Sequence, residues 1–120
     1  MSQAASQAWA FYRQVAATRT LWTIRDGGGY PAPMGSRGQR AQPFWSSRSR
    51  TERIIKTVPA YSGFTPYEVT WEDFCSTWVP RLAADGLFIG VNWSGMNATG
   101  YDLEPERVQQ SVQAVIDTPQ

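Results

Sequence analysis

The centre of the predicted fold is a nearly continuous apolar segment, Leu87-Phe88-Ile89-Gly90-Val91-Asn92-Trp93. A short run with so little polar alternation is typical of a strand that is covered on both faces. Gly86 precedes the segment as a helix terminator, and Ser94-Gly95 follows it as the start of a turn. We therefore expect a central strand with other elements packed on each face.

The elements around this strand are predicted from the spacing of apolar residues and from capping signals. Helices are expected at residues 3–18, from Ser49 to about Val58, between Thr70 and Gly86, and from Pro105; strands are expected at 20–25, about 40–45, 67–69, 87–93 and 99–103. This order predicts an α+β fold, with a single mixed sheet of about five strands and an N-terminal helix and three further helices packed on it. All 120 residues are assigned to one domain.

Individual residues sharpen these expectations. Ala8, Trp9, Tyr12 and Val15 share the predicted buried face of the first helix. Ser2 or Ser6 is expected to cap that helix, and Ser49-Arg50-Thr51-Glu52 fits a capping box for the second.

Pro80 lies inside the third helix and should kink or split it, because proline lacks a backbone donor. The strand at about 40–45 is expected to pair with the first strand.

The composition excludes most known kinds of catalysis. The chain has no histidine and one cysteine, which removes histidine-based nucleophilic systems, the usual zinc sites and multi-thiolate metal sites. Gly27-Gly28-Gly29 matches neither a P-loop nor a dinucleotide fingerprint. The clustered acids, Glu72-Asp73 and Asp102 to Glu106, lie at predicted helix starts, where capping explains them. We therefore predict no enzyme activity, no cofactor and no metal, although a carboxylate-based enzyme stays as a third alternative.

The charge is distributed unevenly along the chain. Residues 1–56 hold nine basic and two acidic residues, a net of +7, whereas residues 57–120 hold two basic and eight acidic residues, a net of −6. Folding either brings the halves together or leaves one basic and one acidic face. Because Cys75 is the single cysteine and no signal or membrane-spanning segment is apparent, a cytoplasmic location without membrane association is expected.

The basic residues concentrate in one segment, Arg37, Arg40, Arg48, Arg50, Arg53 and Lys56. Ser46, Ser47 and Ser49 stand at the predicted start of the second helix, where free backbone N–H groups favour anions. One interpretation is a solvated helix face whose arginine stems cover apolar surface. The other is a site for phosphate, nucleic acid or an acidic protein.

Two tryptophans lie beside predicted polar turns, in Phe44-Trp45-Ser46-Ser47 and Asn92-Trp93-Ser94-Gly95. Each tryptophan is interpreted as a half-buried anchor that closes the end of the sheet. The alternative is that Trp45 and Trp93 line a pocket or a protein interface, where tryptophan and arginine are favoured.

Four stretches carry a resemblance to a known family: Trp22-Thr23-Ile24-Arg25, Pro43 to Ser47, Pro59-Ala60-Tyr61 and Gly90 to Gly95. Together they resemble the bacterial family called domain of unknown function 2750, over nearly the whole chain. The resemblance implies a bacterial, cytoplasmic, stand-alone protein and supplies no activity. A weaker architectural likeness, to SseB-type domains and bacterial toxin-immunity proteins, favours a protein-binding module.

The sequence therefore predicts a non-enzymatic protein-interaction module, regulatory or immunity-like. Its expected partner is another protein, and an acidic protein is one form of this hypothesis. The predicted binding residues are Arg37, Arg40, Trp45, Ser46, Ser47, Arg48, Arg50, Arg53 and Trp93. The alternative is the binding of an anion, a nucleotide or a nucleic acid by the segment from Arg37 to Lys56. Self-association is left open.

Overall fold

The predicted order of elements is confirmed. Within residues 2–35 and 38–118, which the computed structural model describes, the chain forms four helices and five strands. The elements are α1 (Gln3–Thr18), β1 (Thr20–Arg25), β2 (Ala41–Phe44), α2 (Arg48–Thr57), β3 (Thr65–Thr70), α3 (residues 71–84), β4 (Phe88–Ser94), β5 (Thr99–Leu103) and α4 (Pro105–Asp117). A short 3-10 turn, Pro59–Tyr61, lies between α2 and β3.

The strands form two sheets, so the prediction of a single mixed sheet was wrong. In the first sheet β1 pairs antiparallel with β3, and in the second β4 lies between β2, which is parallel to it, and β5, which is antiparallel. The sheets meet at a bridge in which the backbone N–H groups of Trp22 and Trp45 each donate to the other residue's carbonyl, at 2.8 and 2.7 Å.

Pro43 explains why β2 does not extend this bridge into a full ladder with β1. Proline has no backbone N–H to donate. Its carbonyl accepts a hydrogen bond from the Thr23 hydroxyl at 2.8 Å instead of from a β1 backbone group. The expected pairing of the second strand with the first is therefore limited to the Trp22–Trp45 bridge, and the main partner of β2 is β4.

The central strand is covered on both faces, as the sequence predicts. Ile89 and Val91 are fully buried in a cluster that includes residues of α1, α3 and α4. Trp93 belongs to a second cluster, which includes Trp45 from the end of β2 and Ile54 from α2. Burial of this much apolar side-chain surface is the main favourable term for folding. The side of β4 packed by α2 carries the candidate site.

In α1 the structure corrects one expectation, the burial of Trp9, and selects Ser2 from the two expected caps. In α1 the buried stripe runs through Ala8, Phe11 and Val15, while the ring of Trp9 is 50% exposed. Trp9 is one position away from Ala8 and so lies about 100° further round the helix, outside the buried stripe. The α1 cap is Ser2, whose hydroxyl oxygen accepts from the Ala5 N–H at 3.1 Å.

The start of α2 also differs from the predicted capping box. Ser47, two residues before the predicted cap, accepts from the Arg50 N–H at 3.2 Å. With the helix starting earlier, Glu52 no longer lies where it could complete a capping box with Ser49; it pairs with Arg48 at 3.2 Å. Serines at 46, 47 and 49 offer three capping positions, and sequence spacing alone does not choose between them.

The interruption predicted in α3 is confirmed. Regular α-helical turns, Trp71–Asp73 and Val79–Ala84, flank a wider π-helical turn, Phe74–Trp78. The Val79 N–H donates to the Phe74 carbonyl, five residues back, directly before Pro80. No helix in the described parts of the chain has the length and apolar character needed to cross a bilayer.

Candidate functional site

The two tryptophans next to polar turns meet at one edge of the three-stranded sheet. β2 and β4 run parallel, with Phe44 opposite Val91, so their carboxyl ends lie side by side. Trp45 is fully buried and Trp93 is 6% exposed, and the Trp45 Nε1–H donates to the Trp93 carbonyl at 2.8 Å. The interpretation of half-buried anchors is therefore corrected: both indoles are buried.

Trp93 forms part of the floor of a cleft of about 270 Å³ between α2 and the β4–β5 turn, and the fully buried Trp45 supports Trp93 from within the core. Ile54 contributes to the same apolar floor. Arg50 and Arg53 stand three residues apart on α2, which places them near one face of the helix. The cleft is lined by Trp45, Arg50, Arg53, Ile54, Thr57, Trp93, Ser94, Gly95 and Met96. We call it the arginine cleft.

The electrostatics of the arginine cleft favour an anion. Burial lowers the pKa of the Arg50 guanidinium, and the positive charge of Arg53 lowers it further. Within residues 2–35 and 38–118 the ion pair found joins Arg48 to Glu52, and neither Arg50 nor Arg53 forms one. A half-buried cation beside a second cation is destabilised relative to an exposed one, and an incoming carboxylate would relieve that cost.

A buried polar network fixes Arg50 from behind. Asn92 accepts from the Ser46 N–H at 2.9 Å and donates to the Ser46 hydroxyl oxygen at 3.0 Å. The Ser46 hydroxyl in turn donates to Gln14 Oε1, which also accepts from Arg50 Nε at 3.3 Å. With Nε held by Gln14, the two Nη groups of Arg50, which form no hydrogen bond or ion pair with another described residue, are left for a ligand. A guanidinium presented in this way suits bidentate binding of a carboxylate.

Two further predicted site residues lie beside the arginine cleft without lining it. Ser47 caps α2, so its side chain has a structural role at the helix start. Arg48 is neutralised by Glu52, and its guanidinium lies 5.5 Å from the centre of the Trp22 ring. Both residues are explained by contacts within the protein.

Arg40 does not line the arginine cleft. Arg40 donates through Nη1 to the Ala32 carbonyl at 3.0 Å, in the loop before β2. Arg37 lies outside the described residues. The structure thus brings together Trp45, Trp93, Arg50 and Arg53, with Ser46 behind them, and of the other predicted residues that it describes, Arg40, Ser47 and Arg48 do not line the arginine cleft.

Several residues of the site were missed by sequence reasoning. Gln14 lies on α1, which carries no sequence signal for a contact with α2. Asn92 is buried in a strand with a positive φ of 50°, at an irregularity in the β4–β5 register. Asparagine tolerates this left-handed conformation better than most residues, and that preference is the one clue the sequence offered. Met96 is 79% exposed at the tip of the turn.

Other groups that could carry chemistry are accounted for by the fold. The Thr70 hydroxyl oxygen accepts from the Asp73 N–H at 3.1 Å, which confirms the predicted cap at the start of α3. Among the residues that the structure describes, no three His, Cys, Asp or Glu side chains are grouped as a metal site requires. Burial raises the pKa of the Cys75 thiol.

The raised pKa gives a testable expectation for Cys75. Because the thiolate is the reactive form, alkylation by iodoacetamide at pH 8 should be several-fold slower in the native protein than for N-acetylcysteine. The rate, followed by mass spectrometry, should keep rising with pH beyond the range in which N-acetylcysteine levels off. In urea the two rates should converge. A native rate at or above that of N-acetylcysteine at pH 8 would contradict a thiol whose pKa is raised by burial.

Comparison with known proteins identifies the family. A family model described as "Protein of unknown function (DUF2750)" matches residues 8–112, a range that includes every residue lining the arginine cleft. The chain belongs to this family, which confirms the resemblance found in the sequence. No curated protein matches the chain.

Proposed function

We propose that this member of the DUF2750 family is a non-enzymatic interaction module whose arginine cleft binds an acidic segment of another protein. The observation that carries the proposal is that Arg50 and Arg53 line the same cleft above an apolar floor. Neither arginine forms an ion pair with another described residue. The proposal includes a cytoplasmic location, which the single unpaired cysteine supports.

The charges of the cleft favour a carboxylate ligand. Hydrogen bonds to charged groups contribute about 1.5–3 kcal/mol each, roughly twice the neutral kind. In the cleft a carboxylate would bind the Nη groups of Arg50 and reduce the repulsion between Arg50 and Arg53. Partial burial of Arg50 strengthens this interaction, because the local dielectric is lower than that of water.

The size and floor of the cleft favour a protein segment over a metabolite. A volume of about 270 Å³ lies just below the roughly 300–1,000 Å³ typical of small-molecule sites. It suits one or two side chains, one carrying the carboxylate and one resting on the apolar floor. Met96 at the rim adds a flexible, polarisable contact of the kind found on adaptable binding surfaces.

The test is a titration of the 15N-labelled protein with the acetylated, amidated peptide Glu-Leu-Glu, followed by NMR. We expect the indole N–H signals of Trp45 and Trp93 to shift, and the double substitution Arg50→Glu/Arg53→Glu to weaken binding at least about 30-fold. The matched control is Arg13→Glu/Arg81→Glu, which changes the net charge equally at exposed positions away from the cleft. The control should bind within about twofold of the unmodified protein.

Two outcomes would overturn the proposal. One is the absence of shifts at the cleft with Glu-Leu-Glu; the other is an equal loss of affinity in both double variants. The uncharged peptide Gln-Leu-Gln should bind far more weakly than Glu-Leu-Glu, and equal affinities would also count against a carboxylate site.

The alternative of nucleic-acid binding by the segment from Arg37 to Lys56 has less support. Arg40 donates to a loop carbonyl and Arg48 is paired with Glu52, so two of the segment's cations face partners within the protein. If this alternative holds, a single-stranded oligonucleotide binds the protein, and its affinity falls steeply as the salt concentration rises. The slope of that fall is proportional to the number of phosphates contacted. If such binding is observed and is lost in Arg50→Glu/Arg53→Glu, the ligand of the arginine cleft is a nucleic acid and not an acidic protein.

A further inference from the structure

A second groove begins where the arginine cleft ends. It has a volume of about 460 Å³ and lies between the first turns of α1 and the β4–β5 hairpin. Its hydrogen-bonding side chains are Gln3, Gln7, Ser94, Asn97, Thr99 and Tyr101. The groove and the arginine cleft share the turn Ser94, Gly95 and Met96, so the two form a continuous surface around the tip of the hairpin.

We infer that the occupant of this surface is an extended polypeptide that crosses the turn, with its acidic part in the arginine cleft and an uncharged, hydrogen-bonding part in the second groove. The inference rests on the proposed function, and it adds the form and the charge pattern of the partner.

The first argument is the change in charge at the turn. The arginine cleft is lined by two cations, whereas every residue lining the second groove is uncharged. A nucleic acid or another polyanion carries charge along its whole length and would need cations on both sides of the turn. A ligand that matches both sides has its negative charge confined to one end.

The second argument is the chemistry of the groove. Amide and hydroxyl side chains can pair with the N–H and C=O groups of a peptide main chain. Gln7 donates through Nε2 to the Ser94 hydroxyl oxygen, while its Oε1 is buried and lacks a partner among the described residues. A peptide N–H that entered the groove could satisfy this acceptor after a small rotation of the amide. Tyr101, 41% exposed, offers a ring face beside these groups.

The third argument is the tip of the turn itself. Met96 is 79% exposed between the two sites and lines both of them. An apolar residue of the ligand, placed between its acidic and its uncharged parts, would contact the Met96 thioether as the segment crosses the turn. The expected order in the ligand is therefore acidic, apolar, uncharged polar, in either chain direction.

The experiment compares three acetylated, amidated peptides by fluorescence anisotropy and NMR. One is Glu-Leu-Glu, and the others extend it in each direction, as Glu-Leu-Glu-Leu-Asn-Thr-Asn and Asn-Thr-Asn-Leu-Glu-Leu-Glu. We expect one extended peptide to bind at least about tenfold more tightly than Glu-Leu-Glu, the gain of one or two added hydrogen bonds. Its additional chemical-shift changes should fall on Gln3, Thr99 and Tyr101.

Variants separate the two halves of the surface. Gln3→Ala/Thr99→Ala changes two exposed side chains of the groove and should remove the gain from the extension while leaving Glu-Leu-Glu binding unchanged. Thr77→Ala/Gln110→Ala changes the same residue types at exposed positions elsewhere and should retain the gain. Thermal melting of each variant checks that the fold is kept.

The failures of the two proposals are distinguishable. If Glu-Leu-Glu binds the arginine cleft and neither extension adds affinity, the extended partner is wrong and the acidic module stands. If Glu-Leu-Glu does not bind, both fall. A gain that persists in Gln3→Ala/Thr99→Ala, or an oligonucleotide that shifts both sites with a steep salt dependence, also overturns the inference.

Discussion

Replacing Gly90 with alanine is expected to destabilise the folded protein by about 3 kcal/mol or more. A Cβ atom added at Gly90 would lie 2.1 Å from Cε2 and 2.3 Å from Cζ2 of the Trp93 ring. The indole has little freedom to move away, because its Nε1–H donates to Asp102 Oδ1 at 3.0 Å and the Trp93 carbonyl accepts from Trp45. Either the ring leaves the core or β4 shifts between its two neighbouring strands.

Urea denaturation followed by circular dichroism measures this loss, with Gly27→Ala as the matched control. A Cβ at Gly27 meets nothing within 4 Å, and its φ is not positive. Gly27→Ala should therefore range from neutral to about 1 kcal/mol more stable, since alanine restricts the unfolded chain. A Gly90→Ala protein as stable as the control would show that the packing of Trp93 does not require a glycine at position 90.

The same indole shows how far the sequence could predict the site. The apolar run from Leu87 to Trp93 indicates a buried strand, because continuous apolar character is a local property of the sequence. That Trp93 packs over Gly90, three residues earlier, depends on the irregular register between Val91 and Ser94. A bulge is set by pairing with β5, and no local pattern in β4 specifies it.

The division into two sheets was missed for a related reason. Apolar periodicity identifies strands but does not identify their partners. Pro43 was visible in the sequence, and proline is confined to strand edges and irregularities. Its consequence, that β2 meets β1 at a single bridge and pairs with β4, involves strands that are distant in the sequence, which local apolar patterns do not specify.

The candidate site could be predicted in part. Trp45 directly follows β2 and Trp93 lies near the end of β4, and parallel pairing of β2 and β4 brings the two strand ends together. Arg50 and Arg53 follow from helical spacing on α2. The network behind Arg50 could not be found, because Gln14, which holds Arg50, and Asn92, which acts through Ser46, are 36 and 42 residues away from it and make contacts that only the folded chain creates.

Asn92→Ala is the second substitution with a large expected effect, a loss of about 3 kcal/mol in the free energy of unfolding. The side chain accepts from the Ser46 N–H at 2.9 Å and donates to the Gln7 carbonyl at 3.2 Å, in a site that is 1% exposed. Leaving the buried Ser46 N–H without this acceptor costs about 1–3 kcal/mol. The φ of 50° adds roughly 1 kcal/mol for alanine, which lacks the local tolerance of asparagine.

Asn92→Gly separates the two contributions. Glycine loses the same hydrogen bonds but adopts a positive φ without strain, so Asn92→Gly should be about 1 kcal/mol more stable than Asn92→Ala. Asn97→Ala, at an exposed position in the following turn, is the control and should change stability by less than about 0.5 kcal/mol. An Asn92→Ala protein within that limit would mean that the network carries little of the stability.

The glycine variant also tests whether the buried network serves the arginine cleft. Ser46 loses its contact with Asn92 in Asn92→Gly, which loosens Gln14 and, through it, the Nε group of Arg50. We therefore expect folded Asn92→Gly protein to bind Glu-Leu-Glu several-fold more weakly, although residue 92 does not line the cleft. Unchanged affinity in this variant would show that burial beside Arg53 is enough to orient Arg50, and that the network stabilises the fold without preparing the site.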